Sequence, residues 1–389
     1  MAEYSTIGRD TGVIRLCNPP LNPLSYDVRV AIFDALTQVQ SDEAISMVVI
    51  TGAQKGAFSA GADIKEMASG DSMSKTPHVL AVVGAIEACR VPVVAAIDGV
   101  ALGGGCEVAL ACHLRVATPR ALLGLPEVLL GLIPGAGGTQ RLPRLVGADV
   151  ALSMITTGKM VPAVAALKTG LVDHVVAADT PDLVRAAVSF ARGRVKGGVA
   201  LRTGRRPLKT SKPALMAICD SAAAKIGPPV RGAEPLWSCV EAMRAAGNGD
   251  FAAGMETERA LFSRVLQSQQ SRARRHLFLA ERAAFRVPPT TSTPPKVQSV
   301  GVIGAGTMGA GITIAFLFAG FRVTLVDAKQ ENLDKGVDYV ERGVLSAARR
   351  GKVSQETAAA ATTLLTLSLS IKATKDCDMV RAAFENMGT

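Results

Sequence analysis

The sequence predicts an α/β protein built in two parts, on three observations. Apolar strand-like runs such as Met47–Gly52 and Val93–Ile97 alternate with helical runs, the pattern of βαβ units rather than of a sandwich. A stretch from Val287 to Lys296, VPPTTSTPPK, carries four prolines and reads as an extended, semi-rigid linker. Beyond it, strand, glycine-rich turn and helix begin again at Val297.

Taken in order, Gly12–Cys17 alternates like a strand and Asn18-Pro19-Pro20 stops it. From Ser25, apolar Val28, Ile32, Leu36 and Val39 recur at helical spacing. Met47–Gly52 reads as a buried strand, Ala57–Asp63 as a small-residue turn, and Ile64–Met67 as a helix entered at Asp63. A helix over Val79–Cys89 precedes the Val93–Ile97 strand, which turns through Gly103, Gly104 and Gly105 into a helix beginning at Cys106. Pro126 fixes the backbone ahead of Glu127, and the PGAGGTQRLPRLVG stretch after it reads as a loop leading into another helix. Ala163–Gly170 predicts a short helix capped by Gly170, and Leu171–Val176 a strand in which His174 is structural. From Asp182 to about Arg286 the pattern is helical, with breaks at Lys196–Gly198 and Gly247–Asp250. Glu256, Glu258 and Glu281 in this region read as surface residues.

At 389 residues the chain is long enough for two domains or more. It is 48% hydrophobic and 20% charged, an ordinary globular composition. The net charge of +10 is not gathered on aromatic-rich motifs. The clusters Arg202, Arg205, Arg206, Lys209, Lys212 and Arg272, Arg274, Arg275 accompany no recognised module, so no nucleic-acid partner is expected. They read as solvated faces, and the basic balance also suits an acidic ligand. Seven cysteines without a CxxC, and four scattered histidines, fit neither a disulfide framework nor a metal site. There is no signal peptide, no apolar run long enough to span a membrane and no SKL-type ending, so a soluble intracellular protein without membrane association is expected.

The chemistry centres on the glycine turn. Three glycines let another group approach the main chain closely. The first amides of a helix lack internal partners and lie at the positive end of its dipole, a good place to hold a developing oxyanion. Glu107 and Glu127 flank that turn in sequence, and the Ala57–Asp63 turn offers a second amide to clamp the same oxygen. An oxyanion donor plus two acids is the minimum kit for adding water across a polarised double bond. Each piece alone also fits a plain tight turn or a helix start.

FSAGADIKEM, DGVALGGGCEVALACHLRVAT, GLPEVLLGLIPGAGGTQRLPRLVG and ALKTGLVDHVV, in that order, resemble the enoyl-CoA hydratase/isomerase (crotonase) superfamily. The resemblance implies a spiral of ββα turns with the active site between two sheets. It implies that the Ala62 and Gly104 amides form the oxyanion hole for an acyl-CoA thioester, and that Glu107 and Glu127 are the acid/base pair. The implied reaction is reversible hydration of trans-2-enoyl-CoA to 3-hydroxyacyl-CoA, needing no cofactor. A Δ3-Δ2 isomerase side activity would use Glu127 as the proton shuttle. With both glutamates present, the match favours a hydratase over a crotonase-fold hydrolase or dehalogenase.

In the second part, strand Val297–Ile303 runs into Gly304-Ala305-Gly306-Thr307-Met308-Gly309, then a helix over Ile312–Ala319, strand Arg322–Val326 and Asp327. Glycines at that spacing after a strand, with an acid about twenty residues on, are a dinucleotide fingerprint. The turn, with Gly304, Gly306, Met308 and Gly309, would face the pyrophosphate, and Asp327 would bind the ribose hydroxyls and favour NAD over NADP. VGVIGAGTMGAGI and VTLVDAKQENLDKG resemble the NAD-binding start of 3-hydroxyacyl-CoA dehydrogenases. Order and linker together resemble the peroxisomal bifunctional-enzyme family, multifunctional enzyme type 1. That implies a crotonase core over 1–181, a helical extension over 182–286 closing over the site, the linker over 287–296, and a partial Rossmann domain over 297–389. It implies peroxisomal residence and a monomer, where simple crotonases form trimers.

Two departures stand out. The dehydrogenase part holds roughly 90 residues, less than one Rossmann domain, and Arg381 stands where the family's strand carries an acid. The expectation is therefore a chain without a complete dehydrogenase, a fragment or short form. The rival readings are a crotonase-fold isomerase alone, and a non-catalytic acyl-CoA or NAD binder.

Overall fold

A computed structural model of the chain describes residues 1–69, 75–195, 202–228, 232–284 and 296–383. The proline-rich stretch up to Pro295 and the Lys196–Gly198 break lie outside the described residues. The chain forms two compact units, Met1–Arg286 and Val287–Thr389.

The first unit opens with β1 (Ala2–Ile7), β2 (Thr11–Leu16), α1 (Tyr26–Ser41), β3 (Met47–Gly52) and β4 (Ala57–Ser59). Next come α2 (Ile64–Ser69), α3 (Val79–Ala88), β5 (Val93–Ile97), β6 (Val100–Leu102), α4 (Gly104–Ala111), β7 (Leu114–Ala117) and β8 (Leu122–Gly124). After a 3-10 turn at Glu127–Leu130 follow α5 (Gly138–Val146), α6 (Ala148–Thr157), β9 (Val161–Pro162), α7 (Ala163–Thr169) and β10 (His174–Val175). Helices α8 (Leu183–Arg194), α9 (Lys212–Ile226), α10 (Glu234–Asn248), α11 (Phe251–Gln267) and α12 (Gln269–Ala284) complete it.

Two sheets carry the unit, β1-β2-β3-β5-β7-β10 and β4-β6-β8-β9. All neighbours are parallel except β1 with β2 and β8 with β9. Each of β3, β5 and β7 therefore hands the chain to a short strand of the smaller sheet, the repeat that makes a ββα spiral. Crossing between sheets brings backbones very close: a Cβ on Gly99, at φ +69°, would lie 2.0 Å from the Gly56 carbonyl oxygen. The larger sheet is apolar on both faces, as parallel strands covered on both sides require. Along β5, Val93, Ala95 and Ile97 enter the main core with α1 and α4, while Val94 and Ala96 face Val184, Ala187 and Ala191 of α8. The α1 stripe of Val28, Ile32, Leu36 and Val39 is buried as its spacing requires.

The structure corrects four local expectations. Ala57–Ser59 is not turn but strand, paired with β6. The stretch read as a loop after Pro134 is helical from Gly138 to Val146, every residue of it buried, with Pro143 inside. Its glycines and prolines read as breakers, yet they suit a short helix wholly enclosed by its neighbours. The Leu171–Val176 strand shrinks to His174–Val175, where the His174 ring stacks on Phe190 at 4.7 Å. Glu258 is not on the surface but fully buried.

The second unit comprises β11 (Ser299–Ile303), α13 (Thr307–Phe318), β12 (Arg322–Val326), α14 (Gln330–Arg349), α15 (Gln355–Thr363), β13 (Leu365–Ser368) and β14 (Met379–Ala382). Its sheet runs β13-β12-β11-β14, all parallel, over a core of Val300, Val302, Leu317, Leu325, Leu333 and Val340. Helix α13 starts within the glycine turn itself, five residues before the expected Ile312. Among the described residues no helix is long and apolar enough to cross a membrane.

Candidate active site

The glycine turn and the Ala60–Ala62 segment meet back to back. Gly61 has φ +96°, and a Cβ there would lie 2.7 Å from the Leu102 oxygen and 3.0 Å from the Gly104 nitrogen. A Cβ on Gly104 would in turn come within 3.3 Å of the Ala62 nitrogen. Among the described residues neither the Ala62 nor the Gly104 N–H has a hydrogen-bond partner. Two free amides thus border one cleft of about 160 Å³, lined also by Glu107, Glu127, Leu130 and Phe262.

Glu107 is held on the first turn of α4 and is 3% exposed. Its Oε1 accepts from the Ala136 N–H at 2.7 Å and the Gly138 N–H at 2.9 Å. Burial raises its carboxyl above the usual range, against the pull of these two amides and of Arg141. Glu127 begins the 3-10 turn after Pro126, and its Oε1 is packed against Gly103, whose added Cβ would lie 3.3 Å away. Its Oε2 is buried without a partner. Burial first, and the nearby Glu107 second, push Glu127 well above the carboxylate range. The two acids therefore differ: Glu107 has donors to stabilise a negative charge, and Glu127, with none on Oε2, is pushed further toward its protonated form. Arg141, buried at the centre, donates to the Ala136 carbonyl at 2.9 Å and pairs with Glu87 at 2.7 Å.

A third carboxylate, Glu258 of α11, accepts from the Gly137 N–H at 2.6 Å, the Thr139 N–H at 2.9 Å and the Thr139 hydroxyl. Sequence reasoning passed over it among the polar residues of a helix. The available signal was periodic: Gly254, Glu258, Leu261 and Val265 form one buried stripe of α11. Arg259 and Phe262 of the same helix line the cleft.

In the second unit, the expected nucleotide turn has the backbone that its glycines require. Gly304 has φ +99°, and a Cβ on Gly309 would lie 1.7 Å from the Gly304 oxygen, so strand and helix meet there. A Cβ on Gly306 would meet nothing within 4 Å, which leaves open space beside the first amides of α13. Met308 is 71% exposed beside it. Asp327, at the end of β12, accepts from the Ala305 N–H at 2.9 Å and the Lys329 N–H at 3.0 Å. A carboxylate has acceptor sites beyond these two. Arg381 lies exposed on β14, in register with Val302.

Comparison with known proteins agrees with this arrangement. Residues 7–209 match enoyl-CoA hydratase/isomerase, and residues 299–389 match the NAD binding domain of 3-hydroxyacyl-CoA dehydrogenase. The chain is 40% identical over 396 residues to the peroxisomal bifunctional enzyme of Danio rerio, covering 100% of this chain and 53% of that protein. It is 41% identical over 342 residues to the Homo sapiens peroxisomal bifunctional enzyme, covering 86% and 46%. To the peroxisomal fatty acid beta-oxidation multifunctional protein MFP2 of Arabidopsis thaliana it is 37% identical, covering 98% and 54%. The chain thus spans about half the length of the curated relatives it matches. Among solved structures, carnitinyl-CoA hydratase from Mycobacterium avium superposes with TM-score 0.53 at 29% identity, over 72% of this chain and 95% of that one. An enoyl-CoA hydratase from Mycobacterium avium subsp. paratuberculosis gives 0.50 at 25% identity, over 75% and 98%. The family match spans more than half of the sequence, and its fold is the one described here: the chain belongs to the enoyl-CoA hydratase/isomerase family.

Proposed function

We propose that the first unit reversibly hydrates trans-2-enoyl-CoA thioesters to 3-hydroxyacyl-CoA in fatty acid beta-oxidation. The observation that carries this reading is the pair of partnerless amides, Ala62 and Gly104, bordering the same cleft as Glu107 and the unpartnered Glu127 oxygen. The thioester oxygen would sit between the two amides, which draws electron density from the conjugated double bond and makes C3 electrophilic. Glu107 in its ionised form, which the Ala136 and Gly138 amides stabilise, would take a proton from water as its oxygen bonds to C3. Glu127 would give its proton to C2. Hydration leaves Glu107 protonated and Glu127 ionised; exchange with solvent water after product release restores both, and dehydration runs the same transfers in reverse.

Glu127→Gln and Glu107→Gln should each lower kcat for hydration by about 10²–10⁴-fold, followed as loss of the enoyl-thioester absorbance with crotonyl-CoA. Near-wild-type rates in both variants would sink the assignment. The partnerless, protonated Glu127 also supports a Δ3-Δ2 isomerase side activity, since one acid can move a proton between C2 and C4. Glu107→Gln should then keep more of its isomerase than of its hydratase activity.

For the second unit we infer NAD binding. Gly304, Gly306, Met308 and Gly309 would receive the pyrophosphate at the start of α13, and Asp327 the ribose hydroxyls. Bound NAD supplies a hydride acceptor for a 3-hydroxyacyl group. The open space at Gly306 supports this fit. Residence in the peroxisome is proposed from the relatives named as peroxisomal. A monomer is supported by a cleft whose wall is completed by Arg259 and Phe262 of the chain's own α11.

A further inference from the structure

The amides of Ala136, Gly137, Gly138 and Thr139 divide in strict alternation between two carboxylates. Ala136 and Gly138 donate to Oε1 of Glu107, while Gly137 and Thr139 donate to the two oxygens of Glu258. These are the residues entering α5, whose first amides have no helical acceptor and carry the positive end of its dipole. One helix start therefore serves two buried carboxyl groups, on opposite sides of the same four peptide units. Nothing in that segment can tilt toward one carboxylate without turning away from the other. A Cβ on Gly138 would lie 2.9 Å from Glu107 Oε1, so the fit has no slack on that side. The Glu258 side is itself tied down. The Thr139 hydroxyl donates to Glu258, and the Gln140 side-chain amide donates to the Thr139 hydroxyl and to the Ala242 carbonyl of α10.

We propose that Glu258 is a positioning residue for the hydration reaction: it holds the 136–139 segment in the orientation that aims two amides at Glu107. The inference rests on the hydratase reading above. It brings into the site a residue from outside 7–209, the stretch matched by the hydratase/isomerase family, and gives α11 a role beyond covering the cleft. The charged and titratable groups around Glu258 are Glu107, Glu127, Arg141, whose guanidinium reaches the Ala136 carbonyl, and the thiol of Cys239 on α10. Glu258 itself is raised to about 8 by burial and by Glu107, with Thr139 and the two amides opposing.

The test is the pH dependence of kcat for crotonyl-CoA hydration in the full chain. In Glu258→Gln an NH2 group takes the place of one acceptor oxygen, so the Gly137 or the Thr139 donors lose their partner. The expected result is a kcat lower by about tenfold to a hundredfold, the cost of a small misplacement, with KM little changed. The acidic limb of the profile should move to higher pH, because Glu107 holds its proton more tightly once the Ala136 and Gly138 amides turn away from it. Glu258→Asp, which keeps both acceptor oxygens on a shorter side chain, should restore part of the rate and part of the limb's position. A Glu258→Gln enzyme with the wild-type kcat and profile overturns the proposal. So does one whose loss of activity matches its loss of folded protein while the limb stays in place. Should Glu258→Gln not fold, Thr139→Val removes the hydroxyl that donates to Glu258 and accepts from Gln140 while keeping the Thr139 backbone amide, and the limb should move the same way by less; an unmoved profile there is also a refutation. If wild-type protein is folded yet hydrates nothing, the hydratase reading has failed, and the outcome is distinct from failure of the Glu258 role.

Discussion

Three buried carboxyls close together leave a mark on stability as well as on catalysis. The folded protein keeps the Glu258 proton up to about pH 8, whereas the unfolded chain releases it near the ordinary 4.5. Between those values the native state binds the extra proton, so stability falls as pH rises and the loss is complete above about 8. Glu107 and Glu127, both raised, act in the same direction. His113 acts oppositely: burial lowers it to about 4 from 6.5, so its contribution is lost as pH falls through that window and is silent above it. The clean interval is therefore about 6.5 to 8. Urea midpoints should fall across it in the wild type and fall less steeply in Glu258→Gln; equal slopes would argue against a raised Glu258. The same residues show what was legible. Glu107 and Glu127 could be read because a glycine turn and a proline fix the backbone beside them. The helical spacing of Glu258 with Gly254, Leu261 and Val265 carries its burial but not its role, because its partners, two backbone amides and the Thr139 hydroxyl, lie far off in sequence, at a separation of 121 for Gly137, and amides leave no signature in side-chain pattern.

At the scale of elements, the two turns that present the amides depend on close backbone approach. Gly61→Ala would combine a left-handed φ of +96° with a Cβ 2.7 Å from the Leu102 oxygen. Gly56→Ala meets the same kind of φ, +89°, but nothing within 4 Å. The second substitution should cost only the conformational term, about 1–2 kcal/mol, and leave kcat intact. The first should cost more, and should also lower kcat by displacing the Ala62 amide. Chemical denaturation and crotonyl-CoA hydration on both variants check this, and equal behaviour would show that the two segments are not in contact. Strands and amphipathic helices were legible from their periods, as the α1 stripe was. Helix α5 was not: it is buried on all sides, so Arg141 and Arg144 break the apolar pattern while being satisfied by Glu87, by the Gln140 carbonyl and by the Phe251 ring.

At the scale of the molecule, each unit closes its own hydrophobic core, one around the larger sheet and α4, the other around β11 and β12. The ligand chemistry divides the same way, with the thioester cleft lined by residues 29–262 and the nucleotide turn formed by residues 304–309. A ligand that binds one folded unit stabilises that unit by mass action, about 2.7 kcal/mol at a hundredfold excess over Kd. For a unit of this smaller size that is a shift of roughly 10–20 °C, at about 4–8 °C per kcal/mol. Thermal unfolding of the full chain should therefore show two transitions. NAD should raise only that of the second unit, and an acyl-CoA product analogue only that of the first. Gly306→Val places a Cβ where nothing lies within 4 Å and fills the open space beside the α13 amides, so it should abolish the NAD shift while leaving the unliganded transition in place. If NAD moves neither transition, Asp327 and the glycine turn are a fold element only. If it moves both, the two cores are energetically coupled and hydration should respond to NAD as well.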